Sequence, residues 1–120
     1  NPEYSSTGVR RIVRATGSTL AGLADAIRHE AAFRQELLLA VILVPLGFVL
    51  GQSGVERAVL IASVVGLLVV ELLNTALEAA VDRVSTEPHP GSKRAKDLAS
   101  AAVGLALLNL IVVWALILLT

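Results

Sequence analysis

Apolar residues are distributed along the chain as one amphipathic segment followed by three long apolar stretches. In residues 9–30, apolar side chains recur at helical spacing, so that at about 100° per residue they share one face opposite a face rich in arginine. This pattern predicts a basic amphipathic helix that lies on a membrane surface, or alternatively one packed on a protein partner. Residues 1–8 are polar and are expected to be loosely ordered.

The three apolar stretches are long enough to cross a bilayer, which takes about 20 residues per helix. The predicted spans cover about residues 31–51, 55–84 and 94–119. Between the second and third spans, Pro88, Pro90 and Gly91 exclude a continuous helix. We therefore expect an all-α membrane protein that forms a single domain over residues 1–120.

Composition supports a membrane location and narrows the chemistry. Hydrophobic residues make up 55% of the chain, and the mean hydropathy is +0.75. The chain has no cysteine, which excludes disulfides, thiolate metal sites and a cysteine nucleophile. The two histidines, His29 and His89, are too few for a histidine zinc site.

Basic residues are distributed unequally between the two sides of the predicted membrane. Nine of the ten lie before or at the beginning of the first span or around the connection between the second and third spans, and only Arg57 lies near the other loop. Because basic loops stay in the cytoplasm, this asymmetry predicts a cytoplasmic N-terminus and a periplasmic C-terminus.

Four polar residues interrupt the second span on one face: Glu71, Asn74, Glu78 and Asp82. On a helix they fall within an arc of about 80°. Counted from Val55, Glu71 lies about 24 Å along the helix, inside the hydrocarbon boundary. A carboxylate there costs roughly 2.5 kcal/mol or more, so Glu71 is a functional candidate, with a structural interhelix hydrogen bond as the alternative.

Further charged residues are predicted at the same depth. Glu30 precedes the first span, and Lys96 and Asp97 open the third. Carboxylates suit Mg²⁺, which binds one or two of them together with substrate phosphates, and a partly desolvated glutamate suits the removal of an alcohol proton. The sequence contains neither the Gly-x-x-x-x-Gly-Lys-Ser/Thr phosphate-binding loop nor the glycine-rich loop of protein kinases. The residues alone leave three functions open: a lipid-modifying enzyme, a transporter, or a protein whose only role is structural assembly.

Three segments, residues 29–36 (HEAAFRQE), 70–83 (VELLNTALEAAVDR) and 94–97 (RAKD), resemble the bacterial integral-membrane diacylglycerol kinase family over essentially the whole chain. The resemblance implies a homotrimer in the bacterial inner membrane, with active sites shared between protomers. It implies phosphorylation of diacylglycerol to phosphatidic acid with MgATP. The rivals are an undecaprenol kinase and a proton-translocating or structural proteolipid.

The resemblance also implies a role for individual residues. Glu71 matches the general base, and Glu30 and Glu78 match the metal-binding glutamates. The nucleotide-binding positions are Ser18, Glu30, Asn74, Glu78, Asp82, Glu87, His89, Lys96 and Asp97. The positions near the lipid substrate are Arg11, Ala15, Gln35, Glu71 and Ser100.

The chain departs from the family pattern at a few positions. Ser18 stands where well-studied members carry a tyrosine near the nucleotide, and Pro88 replaces another aromatic residue. Leu20 and Ile27 replace interfacial tryptophans. Adenine recognition and the depth of the surface helix are therefore where differences from the family are expected.

Overall fold

The computed structural model describes residues 2–84 and 89–120, with side chains from residue 7 onward. These residues form four helices, α1 (Pro2–His29), α2 (Ala31–Leu50), α3 (Gly54–Val84) and α4 (Pro90–Leu119). Within the described ranges α2, α3 and α4 are long and apolar enough to cross a membrane, whereas α1 is not among such helices. The all-α fold with three spans is thus confirmed. The chain divides into two compact units, residues 1–34 and residues 35–120.

Two helices begin earlier than the sequence predicted, and both begin at a proline. α1 starts at Pro2 instead of near Val9. α4 starts at Pro90 instead of near residue 94. Proline blocks a helix interior but suits the first turn, where its missing N–H would have no helical acceptor. Proline therefore marks the beginning of α4 and not the interior of the loop.

In the unit of residues 1–34, the apolar face of α1 stays open. Val9, Ile12 and Val13 are each more than half exposed, at 59%, 69% and 66%. At the other end of the unit, the Arg34 guanidinium donates hydrogen bonds to the carbonyls of Ile27 (2.9 Å) and Arg28 (3.2 Å). These are among the carbonyls that the end of α1 leaves without a helical donor, so Arg34 caps the helix.

In the unit of residues 35–120, the most extensive helix–helix packing is between α3 and α4. The buried core consists of Ala40 from α2, Val64 and Leu67 from α3, and Leu110 from α4. At 31 and 30 residues, α3 and α4 are about 46 and 45 Å long, against about 30 Å of hydrocarbon. Both helices therefore have a polar end that extends past the hydrocarbon.

A polar contact within the apolar part of the bundle links α3 to α4. The Trp114 indole Nε1–H lies 3.1 Å from Ser63 Oγ and 3.3 Å from the carbonyl oxygen of Leu60, and it donates to both. Gly47 of α2 lies beside this contact, since a Cβ there would sit 3.4 Å from the Leu60 Cβ. This distance is an ordinary van der Waals contact, so α2 and α3 lie side by side at Gly47.

Candidate functional site

The polar stripe on α3 runs from the interior of the bundle to its water-facing end. Glu71 is buried, with 6% of its surface exposed, Asn74 and Glu78 are half-buried, and Asp82 is exposed. A helix advances 1.5 Å per residue, so the stripe extends about 16 Å along α3. Along the stripe the carboxyl group of Glu71 is therefore shielded from water, whereas those of Glu78 and Asp82 are accessible to water.

A second carboxyl group, from α2, lies against Glu71. The side chain of Glu36 forms a hydrogen bond with that of Glu71. Glu36 stands at the water-facing beginning of α2 and is half-buried. It was not among the predicted site residues, although it directly follows Gln35, which was. Periodicity in α3 could not reveal it, because the partner belongs to another helix.

Two oxygen atoms in this region are buried and have no hydrogen-bond partner: Oε2 of Glu36 and Oδ1 of Asn74. The amide nitrogen of Asn74 donates to Glu78 Oε1 over 3.4 Å, which leaves the amide oxygen free to accept. A buried acceptor without a donor is costly and points to a group that the site receives, such as a hydroxyl or a cation.

Oppositely charged residues pair at the polar ends of α3 and α4, where the stripe ends. Lys96 Nζ lies 2.5 Å from Asp82 Oδ1 and so links the two helices. Lys93 Nζ lies 2.6 Å from Asp97 Oδ2, one turn along α4. The side chains of Lys96 and Asp82 are 40% and 63% exposed, and ion pairs so open to water hold little stabilising energy. Such a pair can open to admit an anion.

His89 has a structural role that its sequence position did not reveal. It is the N-cap of α4, and its Nδ1 accepts a hydrogen bond from the backbone N–H of Gly91 over 2.9 Å. The imidazole thereby satisfies one of the donors that the first turn of a helix leaves open. The neighbouring Glu87, also predicted to contact the nucleotide, lies outside the described residues.

The remaining predicted residues are distributed between the two units. In the unit of residues 1–34, Arg11 and Ala15 line a groove on α1, Ser18 is exposed, and Glu30 is half-buried directly after α1 ends. In the unit of residues 35–120, Gln35 and Ser100 are exposed. Lys96 and Ser100, four residues apart, share one side of α4.

The donor set of the stripe suits a hard cation that completes its shell with substrate oxygens. Glu78 offers a carboxylate, and Asn74 offers the buried amide oxygen without a partner. Among the described residues no three His, Cys, Asp or Glu side chains form a group that could hold a metal ion. Mg²⁺ does not require such a cage, because it binds through one or two carboxylates, substrate phosphates and water.

Comparison with known proteins places these features in a family. The family model for prokaryotic diacylglycerol kinase matches residues 17–118. A Pseudomonas aeruginosa protein named diacylglycerol kinase is 55% identical over 119 residues, covering 99% of this chain and 97% of its own. Proteins of the same name from Haemophilus influenzae and Escherichia coli are 45% and 41% identical, covering 92% and 95% of this chain and 94% and 93% of their own. The chain therefore belongs to the prokaryotic diacylglycerol kinase family.

Proposed function

We propose that this protein is a diacylglycerol kinase that transfers the γ-phosphate of ATP to diacylglycerol and forms phosphatidic acid. The observation that carries the proposal is the buried carboxyl group of Glu71 in a membrane-spanning helix, with ionic side chains at the water-facing end of the same hairpin. A lipid alcohol and a water-soluble triphosphate must meet at such a boundary. Membership of the family and the names of its relatives support the same activity.

Glu71 is the general base of the proposed reaction. The residue is 6% exposed, so its carboxyl group meets the lipid hydroxyl at a place that is largely closed to water. It takes the hydroxyl proton of diacylglycerol as the alcohol oxygen attacks the γ-phosphorus and ADP leaves. A well-positioned base of this kind accelerates proton transfer by about 10²–10⁴-fold.

The nucleotide is proposed to bind toward the polar end of the hairpin. Lys96 is held by Asp82 and can exchange that partner for a phosphate oxygen, because the pair is largely open to water. Glu78, with Glu30, would hold Mg²⁺, and the Asn74 amide oxygen has no competing donor. When bound, the metal neutralises charge on the phosphates.

The proposal includes an oligomeric state and a membrane orientation. The protein is proposed to be a homotrimer in the bacterial inner membrane, with its N-terminus in the cytoplasm and its C-terminus in the periplasm. The basic loops support the orientation. Sharing of sites between protomers would bring residues of the unit 1–34, such as Glu30, to the α3 stripe of a neighbour.

The test is a substrate panel with the purified protein in mixed micelles. ATP-dependent phosphorylation of diacylglycerol, with much lower turnover on undecaprenol, is the expected result. Undecaprenol phosphorylated in preference to diacylglycerol would make the protein a polyprenol kinase with the same base. If neither alcohol is phosphorylated, the protein is better explained as a proteolipid, in which Glu71 carries protons or joins helices.

A further inference from the structure

Glu71, the proposed base, contacts a second carboxyl group that has no role in the reaction described above. Glu36 on α2 forms a hydrogen bond with Glu71 on α3, and both belong to the unit of residues 35–120. A carboxylate can only accept a hydrogen bond, so two carboxyl groups can bond to each other only when one of them carries a proton. The pair therefore holds at least one proton.

The unpaired oxygen of Glu36 indicates which member carries the proton. Oε2 of Glu36 is buried and has no hydrogen-bond partner. An ionised carboxylate with a bare buried oxygen is far more costly than a neutral carboxyl group whose carbonyl oxygen is bare. Glu36 is therefore the neutral donor and Glu71 the acceptor, an arrangement that leaves Glu71 able to be the ionised member, as a base must be.

We propose that Glu36 is a positioning residue for the base: its carboxyl O–H donates to one oxygen of Glu71 and orients the carboxylate for the lipid hydroxyl. This inference rests on the proposed function. Glu36 keeps its own proton throughout, while the proton of the alcohol passes to Glu71 and then to water after phosphatidic acid leaves. A base oriented by a third group is a recurring arrangement in enzymes, because small errors in position lower rates steeply.

Two substitutions at the same position separate a donated hydrogen bond from mere filling of space. Glu36→Gln retains an N–H that can donate to Glu71, whereas Glu36→Leu fills a similar volume without a donor. We expect Glu36→Leu to lower turnover at saturating substrates by about 100-fold, with KM for both substrates changed less than about twofold. Glu36→Gln should restore most of that loss. Glu56→Leu, which changes a carboxylate at the opposite end of α3, is the matched control and should keep normal turnover.

A readout other than activity is the infrared spectrum. Wild-type protein at neutral pH should show the C=O stretch of a protonated carboxyl group that is absent from Glu36→Gln and present in Glu56→Gln. This signal does not depend on turnover, so it remains decisive if Glu36→Leu does not fold. Absence of the band from the wild-type protein would overturn the proposal.

Activity can overturn it in two further ways. Full turnover in folded Glu36→Leu would show that Glu71 needs no positioning, and Glu36→Gln as inactive as Glu36→Leu would show that a donated hydrogen bond is not what matters. In a Glu71→Gln background, Glu36→Leu should cause no additional loss. If Glu71→Gln itself keeps normal turnover, the base assignment in the proposed function fails; if Glu71→Gln loses turnover and Glu36→Leu does not, only the role of Glu36 fails.

Discussion

Replacing Glu71 by glutamine separates a catalytic base from a structural group at this position. Glutamine has nearly the same size and keeps an oxygen acceptor, so the Glu36 carboxyl group retains a partner. That matters because Glu71 is only 6% exposed, and a smaller side chain would leave a cavity as well as an unpaired acid. The amide carries no negative charge and cannot take up the proton of an alcohol, so the substitution removes the basic carboxylate while it keeps the size of the side chain.

The size of the expected effect follows from this role. Loss of a general base lowers turnover by about 10²–10⁴-fold, which corresponds to about 2.7–5.4 kcal/mol in the barrier. Asp82 lies eleven residues after Glu71 in α3, about 16 Å along the axis, and its partner Lys96 lies at the same end. MgATP affinity and oligomer stability should therefore change little.

The assay measures phosphatidic acid formed by purified protein in mixed micelles at saturating diacylglycerol and MgATP. Nucleotide affinity is measured separately by calorimetric titration, and the oligomeric state by light scattering in detergent. Glu56→Gln serves as the matched control, because Glu56 receives a hydrogen bond from the Gln52 backbone N–H in the turn that precedes α3 and lies far from the stripe.

Two outcomes would refute the reasoning. Near-normal turnover of Glu71→Gln would mean that another group accepts the proton. A loss of activity that coincides with dissociation of the oligomer would mean that the buried carboxyl group joins helices. In either case the catalytic assignment of Glu71 is wrong.

Three further predictions concern topology, metal and assembly. Reporter fusions at Gly54 and after Thr120 should both read periplasmic, given the nine-to-one distribution of basic residues, and a cytoplasmic signal at either position would invert or break the proposed topology. Glu78→Gln and Glu30→Gln should each abolish Mg²⁺-dependent nucleotide binding, because the amide lacks the charge that the metal needs; an unchanged Mg²⁺ response in both would remove them from the metal site. Mixing inactive Glu71→Gln subunits with inactive Glu30→Gln subunits should restore part of the activity, and its absence in verified mixed oligomers would indicate that each site lies within one chain.

Much of the architecture could be read from one-dimensional patterns. Long apolar stretches have few alternatives to helices in a bilayer, because every backbone N–H and C=O must be satisfied within the segment. The sequence therefore predicted three membrane-spanning helices, and α2, α3 and α4 are each long and apolar enough to cross a membrane. The polar stripe on α3 was equally accessible, since residues of one helix at spacings of three and four share a face wherever that helix lies.

The tertiary structure decided the contacts between helices. The pairing of Glu36 with Glu71 and that of Lys96 with Asp82 depend on the rotation and axial position of one helix relative to another. A helical period does not specify either quantity, because every helix has the same period whatever its neighbour. The sequence by itself thus determined which residues are polar within the membrane and on which side of their own helix they lie. Only packing determined which acid meets which partner, because that depends on side-chain volumes at the interfaces between helices.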